Sequence, residues 1–104
     1  MKIRLIVPHN CSDETSGYHE RTVHTYGRQI ARIAGGFTAT QATGGWVDGS
    51  NLLVVEPVTV FDCYVDVVRN QAGRFDILAR KIARELRQAS VYLEIDGETE
   101  FVTA

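Results

Sequence analysis

The sequence contains few of the residues that mark specialised classes of protein, with two cysteines, two prolines and one tryptophan in 104 residues. Two cysteines are too few for a disulfide scaffold, and we predict that Cys11 and Cys63 are free thiols. The longest apolar runs reach four or five residues, far below the roughly 20 that span a bilayer. Basic residues are not in excess either, since 11 Lys and Arg face 13 Asp and Glu. That balance argues against a general nucleic-acid binder.

The overall composition is that of an ordinary globular protein. Hydrophobic residues make up 44% of the chain and charged residues 23%, close to the average for soluble domains. The length suits one domain over residues 1–104, which is large enough to bury a core without disulfide bonds or a structural metal. Residues 1–7 are too short and too charged for a signal peptide, so we expect the protein in the cytoplasm.

The first third of the chain reads as a strand, a loop and a helix. Apolar side chains recur at every second position over residues 2–7, which predicts a strand that Pro8 ends. The polar loop that follows, residues 9–17, is long enough to be functional. Apolar residues at steps of three and four predict a helix over residues 16–34, with Ser16 as N-cap and Gly35 at its end.

The middle of the chain predicts a hairpin. Residues 37–47 are rich in threonine and aromatic side chains, and Asp48-Gly49 is a strong turn signal. A long strand over residues 52–68 follows. We expect Glu56-Pro57 to interrupt this strand, because proline favours an edge or a bulge.

The last third predicts a helix and a final strand. Residues 75–86 carry apolar side chains at i, i+3, i+4, i+7, i+8 and i+11, the clearest helical pattern in the chain. Residues 91–95 alternate like a strand, and Asp96-Gly97 is placed to fold residues 99–102 back as a short extra strand.

The resulting order, β-α-β-β-α-β, predicts an α+β ferredoxin-like domain. We expect a four-stranded antiparallel sheet with both helices on one face. The other face would carry side chains that are too apolar for water, namely Ile6, Val58, Val60, Tyr64 and Tyr92. We therefore predict a homo-oligomer that covers this face.

Standard catalytic motifs are absent, since the sequence contains no G-x-x-x-x-G-K, G-x-G-x-x-G, H-E-x-x-H or C-x-x-C. His9, Cys11, His19 and His24 lie close together in the sequence. His19 and His24, however, are five residues apart, on different sides of a helix, which argues against a metal site. Solvent-exposed histidines are the expectation, and a Cys11 nucleophile paired with His9 or His19 is the alternative.

Three residues depart from their surroundings and are candidates for a site. Glu56 interrupts an apolar run, where a carboxylate is costly to bury unless it is paired or used. Trp46 lies not far from Leu53 in the predicted hairpin and so within reach of the Glu56 region, and Gln88 directly follows the second helix. Each has an ordinary alternative: an edge glutamate in solvent, a core or interface aromatic, and a glutamine that caps its own helix.

The order and spacing of these residues resemble the phage-encoded S-adenosylmethionine-degrading enzymes, the SAM lyases once called SAM hydrolases. The resemblance extends from Ile3 to Val102. An Asn-Cys-Ser-Asp-Glu stretch at 10–14 follows the first strand, and His19, Arg21 and His24 lie at the start of the helix. Gly-Gly-Trp at 44–46 occupies the place where the family has a glycine and a nearby tyrosine, so Trp46 lacks the phenolic hydroxyl. Glu56 comes ten residues later, and Gln-x-x-Val spans 88–91. Small uncharacterised bacterial and phage proteins share a similar pattern.

The resemblance implies a ferredoxin-like homotrimer with sites between subunits, working in the host cytoplasm as a phage counter-defence. The substrate's own carboxylate would displace methylthioadenosine and form homoserine lactone, with no metal or added cofactor. Glu56 and Gln88 are then the expected catalytic residues, and the expected substrate-binding residues are Trp46, His9, Asn10, Cys11 and Ser12. We favour Glu56 as an anchor for the ribose hydroxyls over a general base for water. Trp46 is expected to face the adenine or the sulfonium.

Two other functions fit the same residues. One is a non-catalytic oligomeric module of the same fold that binds a small molecule or a protein. The other is a dimeric α/β-barrel enzyme for a hydrophobic metabolite, for which no base is identifiable. Neither a nucleic acid nor a membrane is expected as a partner.

Overall fold

A computed structural model of the chain describes residues 1–10, 17–66 and 72–104. The elements follow the predicted α+β order, with one additional strand at the end. They are β1 (Lys2–Pro8), α1 (Tyr18–Thr22), a π-helical turn (Val23–Gly27), α2 (Arg28–Ala34), β2 (Thr38–Val47), β3 (Leu53–Tyr64), α3 (Ala72–Glu85), β4 (Ser90–Ile95) and β5 (Glu98–Thr103).

The strands form a single antiparallel sheet in the order β2-β3-β1-β4-β5. The first four strands have the ferredoxin-like arrangement, which confirms the predicted fold class. The fifth strand is the short extra strand expected after Asp96-Gly97, and it adds to the four-stranded sheet at the β4 edge. It is folded back at Asp96 and Gly97, whose φ angles of 49° and 85° are the left-handed values of a tight hairpin turn.

The core lies between the sheet and the helices, and both helical segments pack on the same sheet face. Alternation along β1 points Ile3, Leu5 and Val7 into this layer, where each is at most 1% exposed. The helical pattern of residues 75–86 is confirmed, because its apolar positions are buried against the same strands: Phe75, Leu78, Ala79, Ile82 and Ala83. None of the helices in the described part of the chain is long and apolar enough to cross a membrane.

The first helix begins and ends at glycines. Gly17 precedes it with a φ of 74°, and Gly35 ends it with a φ of 88° while its N–H donates to the Ala31 carbonyl at 2.7 Å. The end at Gly35 was predicted, whereas the expected N-cap, Ser16, lies outside the described residues. Cys63 is a free and buried thiol whose pKa is raised by burial to about 11. Cys11 also lies outside the described residues.

The predicted interruption at Glu56-Pro57 is wrong, because β3 pairs with β2 without a break through Gly44↔Glu56 and Thr43↔Pro57. The Pro57 carbonyl faces β1, because it accepts a hydrogen bond from the His9 N–H at 3.2 Å. The nitrogen of the same residue faces the same side, so the bonds between β3 and β2 do not need an N–H from Pro57. β1 and β3 pair as far as Pro8↔Val58, so the proline lies at the end of this ladder, where its missing N–H removes only the bond that it would have returned to His9. This part of β3 therefore extends past β1 and supplies one wall of a cavity.

Candidate functional site

One face of the sheet is not covered by helices. The register between the strands shows which side chains lie on this face. Ile6 pairs with Val60 on one side and with Tyr92 on the other, and Tyr92 pairs with Phe101. Directly paired residues point to the same face. The five apolar residues predicted for this face all lie on it: Ile6, Val58, Val60, Tyr64 and Tyr92.

A concavity of ≈ 600 Å³ lies on this face, within the range of small-molecule sites. Its walls come from separate parts of the chain, which the antiparallel order brings together. Three of the predicted site residues line it: Glu56 from β3, Trp46 from β2 and Gln88 from the turn after α3. Its other side chains are mostly apolar or aromatic, among them Ile6, Pro8, Val58, Tyr92 and Phe101.

Glu56 is a half-buried carboxylate in the wall of the concavity. Burial raises its pKa above the ordinary value, and the nearby His9 opposes that shift in part. Within the described residues no side chain donates a hydrogen bond to it or forms an ion pair with it. Both carboxylate oxygens are therefore open to a ligand in the concavity, and the alternative of a fully solvated edge glutamate does not hold.

Trp46 lies on the same face as Glu56, two positions along β2 from the residue that pairs with Glu56. That residue is Gly44, and a Cβ there would come within 3.1 Å of Val58 Cγ1. A side chain at this position would crowd Val58, and the glycine leaves the sheet face beside Glu56 open. Trp46 is 47% exposed, so it is not a core aromatic of this chain, and a flat apolar surface faces the concavity.

Gln88 does not cap its own helix through its side chain. The last turn of α3 is closed by the Gln88 backbone N–H, which donates to Ala83 O at 2.8 Å, with Arg87 in a left-handed conformation at φ 54°. The side chain of Asn10 donates from Nδ2 to Leu86 O at 2.6 Å. Gln88 Nε2 in turn donates to Asn10 Oδ1. Asn10 therefore joins the end of β1 to the Gln88 turn.

His9 lies beneath the concavity and does not line it. Continued alternation past Pro8 points it to the helix side, where it is 3% exposed, so the expected solvent exposure of this histidine is wrong. Its Nε2 lies 2.6 Å from Thr59 Oγ1, and His19 Nδ1 lies 2.8 Å from the same oxygen. One hydroxyl has a single proton to donate, so at least one of these ring nitrogens donates to it. Cys11 and Ser12 lie outside the described residues.

This shared hydroxyl gives a stability prediction. Thr59→Val is expected to lower the free energy of unfolding by about 1–3 kcal/mol, because two histidine nitrogens lose a partner in a buried place. Urea denaturation measures the loss. Thr43→Val is the matched control, since Thr43 is exposed on β2, and it should change stability by no more than about 0.5 kcal/mol. Equal effects at the two positions would contradict a structural role for the shared hydroxyl.

Sequence reasoning missed two of these contributors, Phe101 and Thr59. Phe101 is 66% exposed and its ring lies edge to face with Tyr92 at 5.8 Å. The hairpin signal at Asp96-Gly97 already pairs Phe101 with Tyr92, and that register would have found it. Thr59 is hidden in an apolar run and had no comparable signal. Among the described residues no three His, Cys, Asp or Glu side chains are grouped to hold a metal ion.

The architecture places the chain in the ferredoxin-like class, with a concave open face. Two solved structures have the same fold. A phage SAM lyase in complex with S-methyl-5'-thioadenosine superposes with a TM-score of 0.71 and 18% identity, over 99% of this chain and 88% of that one. A phage SAM lyase in the apo state gives 0.60 and 19% over the same shares. No protein-family model matches the sequence, and no curated protein matches it.

Proposed function

We propose that this protein degrades S-adenosylmethionine by intramolecular cyclisation, giving methylthioadenosine and homoserine lactone. The observation that carries the proposal is the concavity, which unites a half-buried carboxylate, an exposed indole and an amide on one apolar sheet face. The fold agrees with it, because a phage SAM lyase of the same fold is known in complex with methylthioadenosine.

The proposed reaction requires no acid, base or added cofactor to form its products. The substrate's carboxylate oxygen attacks its own γ-carbon, the bond from that carbon to sulfur breaks, and sulfur keeps the electron pair as a neutral thioether. A positive and a negative charge disappear together, so exclusion of water favours the step. The protein need only hold the chain folded so that the two ends meet.

Glu56 is proposed to anchor the ribose, with its open carboxylate oxygens accepting hydrogen bonds from the two hydroxyls. A carboxylate placed against the sulfonium would instead stabilise the charged ground state and slow a charge-destroying step. Trp46 is proposed to face the sulfonium, where a cation over an indole gains about 0.5–2 kcal/mol. Its position diagonal to Glu56 across the hairpin allows both contacts to the same ligand.

We propose a homotrimer whose sites lie between subunits, acting in the host cytoplasm as a phage counter-defence. Support comes from the far end of the β2–β3 hairpin, which extends past β1 with apolar side chains on both faces. These residues, here named the apolar hairpin end, are Trp46, Val47, Leu52, Leu53 and Val55, each between 47% and 70% exposed. An exposed apolar cluster of this kind is typical of a protein interface.

The decisive experiment incubates the purified protein with S-adenosylmethionine and separates the products by liquid chromatography and mass spectrometry. Methylthioadenosine and homoserine lactone are expected in equal amounts. Homoserine in place of lactone during the first turnovers would indicate hydrolysis and contradict cyclisation. Tight binding of S-adenosylmethionine without products would instead identify a non-catalytic binding module.

A further inference from the structure

We infer that Asn10 is a positioning residue that fixes the rotation of the Gln88 amide, so that Gln88 presents its carbonyl oxygen to the concavity. The site would then select a ligand whose group at that point donates a hydrogen bond. The selection of the ligand rests on the proposed function, whereas the fixed amide is a property of this chain alone.

The orientation follows from counting donors and acceptors. A backbone carbonyl only accepts, so the Asn10 atom at 2.6 Å from Leu86 O must be its NH₂ group. The other end of the Asn10 amide is then an oxygen, and it also only accepts. Gln88 must meet that oxygen with its own NH₂ group. An amide flip of either residue would bring two acceptors or two donors together.

The opposite end of the Gln88 amide is left for the ligand. Gln88 is half-buried and lines the concavity. Its Oε1 has no hydrogen-bond partner in the described part of the chain. A half-buried carbonyl oxygen at a cavity wall favours a ligand N–H or O–H and disfavours a second acceptor, because two facing acceptors are both left unsatisfied.

The surroundings of Gln88 indicate which donor it meets. Tyr92 and Phe101 lie on the same side of the concavity, on β4 and β5, and the exposed ring of Phe101 offers a face for a flat heterocycle. Glu56 and Trp46 lie on the other side, on β3 and β2. For a purine on the Phe101 side, we assign the 6-amino group, rather than the ribose or the amino acid, as the donor that meets Gln88. The inferred ligand is therefore a 6-aminopurine and not a 6-oxopurine.

The ligand test compares methylthioadenosine with methylthioinosine, in which a carbonyl oxygen replaces the amino group, by calorimetry. The wild-type protein is expected to bind the amino compound at least about tenfold more tightly. Asn10→Ala frees the Gln88 amide to turn, so this preference should fall to about threefold or less. Asn10→Asp keeps the acceptor for Gln88 but loses the donor to Leu86 O, so it should keep the preference although the helix cap is lost. Equal preference in all three proteins overturns the inference.

The fixed amide is also tested without a ligand. The side-chain amide protons of Gln88 are identified in a ¹⁵N–¹H spectrum as the pair missing from Gln88→Met. One of them should exchange with water more slowly in the wild-type protein and in Asn10→Asp than in Asn10→Ala, because the hydrogen bond to residue 10 protects it. Equal exchange rates in the wild-type protein and in Asn10→Ala overturn the inference whatever the ligand is. Slower exchange than in Asn10→Ala, with no binding of either nucleoside, supports the role of Asn10 and contradicts the proposed function instead.

Discussion

Glu56→Gln is expected to lower the turnover of S-adenosylmethionine by at least about tenfold, the effect of roughly 1.4 kcal/mol on the barrier. Glutamine fills the same space in the wall of the concavity, but it has no charge and only one acceptor oxygen for the two ribose hydroxyls. The loss should appear in kcat/KM measured from methylthioadenosine formation. Unchanged activity and unchanged affinity for methylthioadenosine would remove Glu56 from the site.

The same variant is expected to be at least as stable as the wild-type protein at neutral pH. Burial raises the pKa of Glu56 in the folded protein, so the folded state holds its proton more tightly than the unfolded state. The ionised side chain therefore costs stability at neutral pH, and this cost disappears as the pH falls below the ordinary value of 4.5. Glu56→Gln removes the cost, so the stability difference should be largest at neutral pH and vanish in acid.

Glu100→Gln is the matched control, because Glu100 is an exposed glutamate on β5, outside the concavity. It should change neither turnover nor the pH dependence of thermal unfolding. A Glu56→Gln protein that is both less active and less stable would point to a structural carboxylate. A protein that is less active and equally or more stable matches a carboxylate retained for its ligand.

The fold could be predicted because its signals are local and agree with one another. The apolar positions of residues 75–86 define a buried helix face by spacing alone, and Phe75 and Ile82 are indeed fully buried. Alternation in residues 2–7 likewise assigned Ile6 to the face without helices. The predicted interruption of β3 at Glu56-Pro57 is wrong. The prediction rests on the N–H that proline lacks, as if the sheet needed that N–H at this position. Whether that N–H is needed depends on where β1 ends, which is a tertiary fact.

The site could be predicted only where a residue contradicts its own surroundings. Glu56 breaks an apolar run and Trp46 is the only tryptophan, and both line the concavity. His9 was assigned to the loop after Pro8, yet the alternation of β1 continues through it and buries it under Thr59. Asn10 was predicted as a ligand contact. The structure shows its side chain hydrogen-bonded to Gln88, a contact that no spacing in the sequence indicates.

The largest structural effect is expected from the apolar hairpin end. Leu53→Lys combined with Val55→Lys should convert the proposed trimer to a monomer of 11.6 kDa in sedimentation at micromolar concentration. Leu53 is 70% and Val55 51% exposed in the single chain. Each side chain covered by a neighbouring subunit contributes about 1.5–3 kcal/mol, and a buried lysine replaces that gain with a desolvation cost. Turnover should fall with the trimer, because Trp46 and Glu56 lie on the same hairpin.

Ile77→Lys is the matched control for this experiment. Ile77 is 66% exposed on α3, on the helix side of the molecule and away from the hairpin. The variant therefore removes a comparable exposed apolar side chain without changing the hairpin. It should leave both the trimer and the turnover unchanged. A wild-type protein that sediments as a monomer and still turns over S-adenosylmethionine would show that one open sheet face is a complete site. The apolar hairpin end would then need another partner, since five exposed apolar side chains on one short projection are too many for a surface that only water contacts.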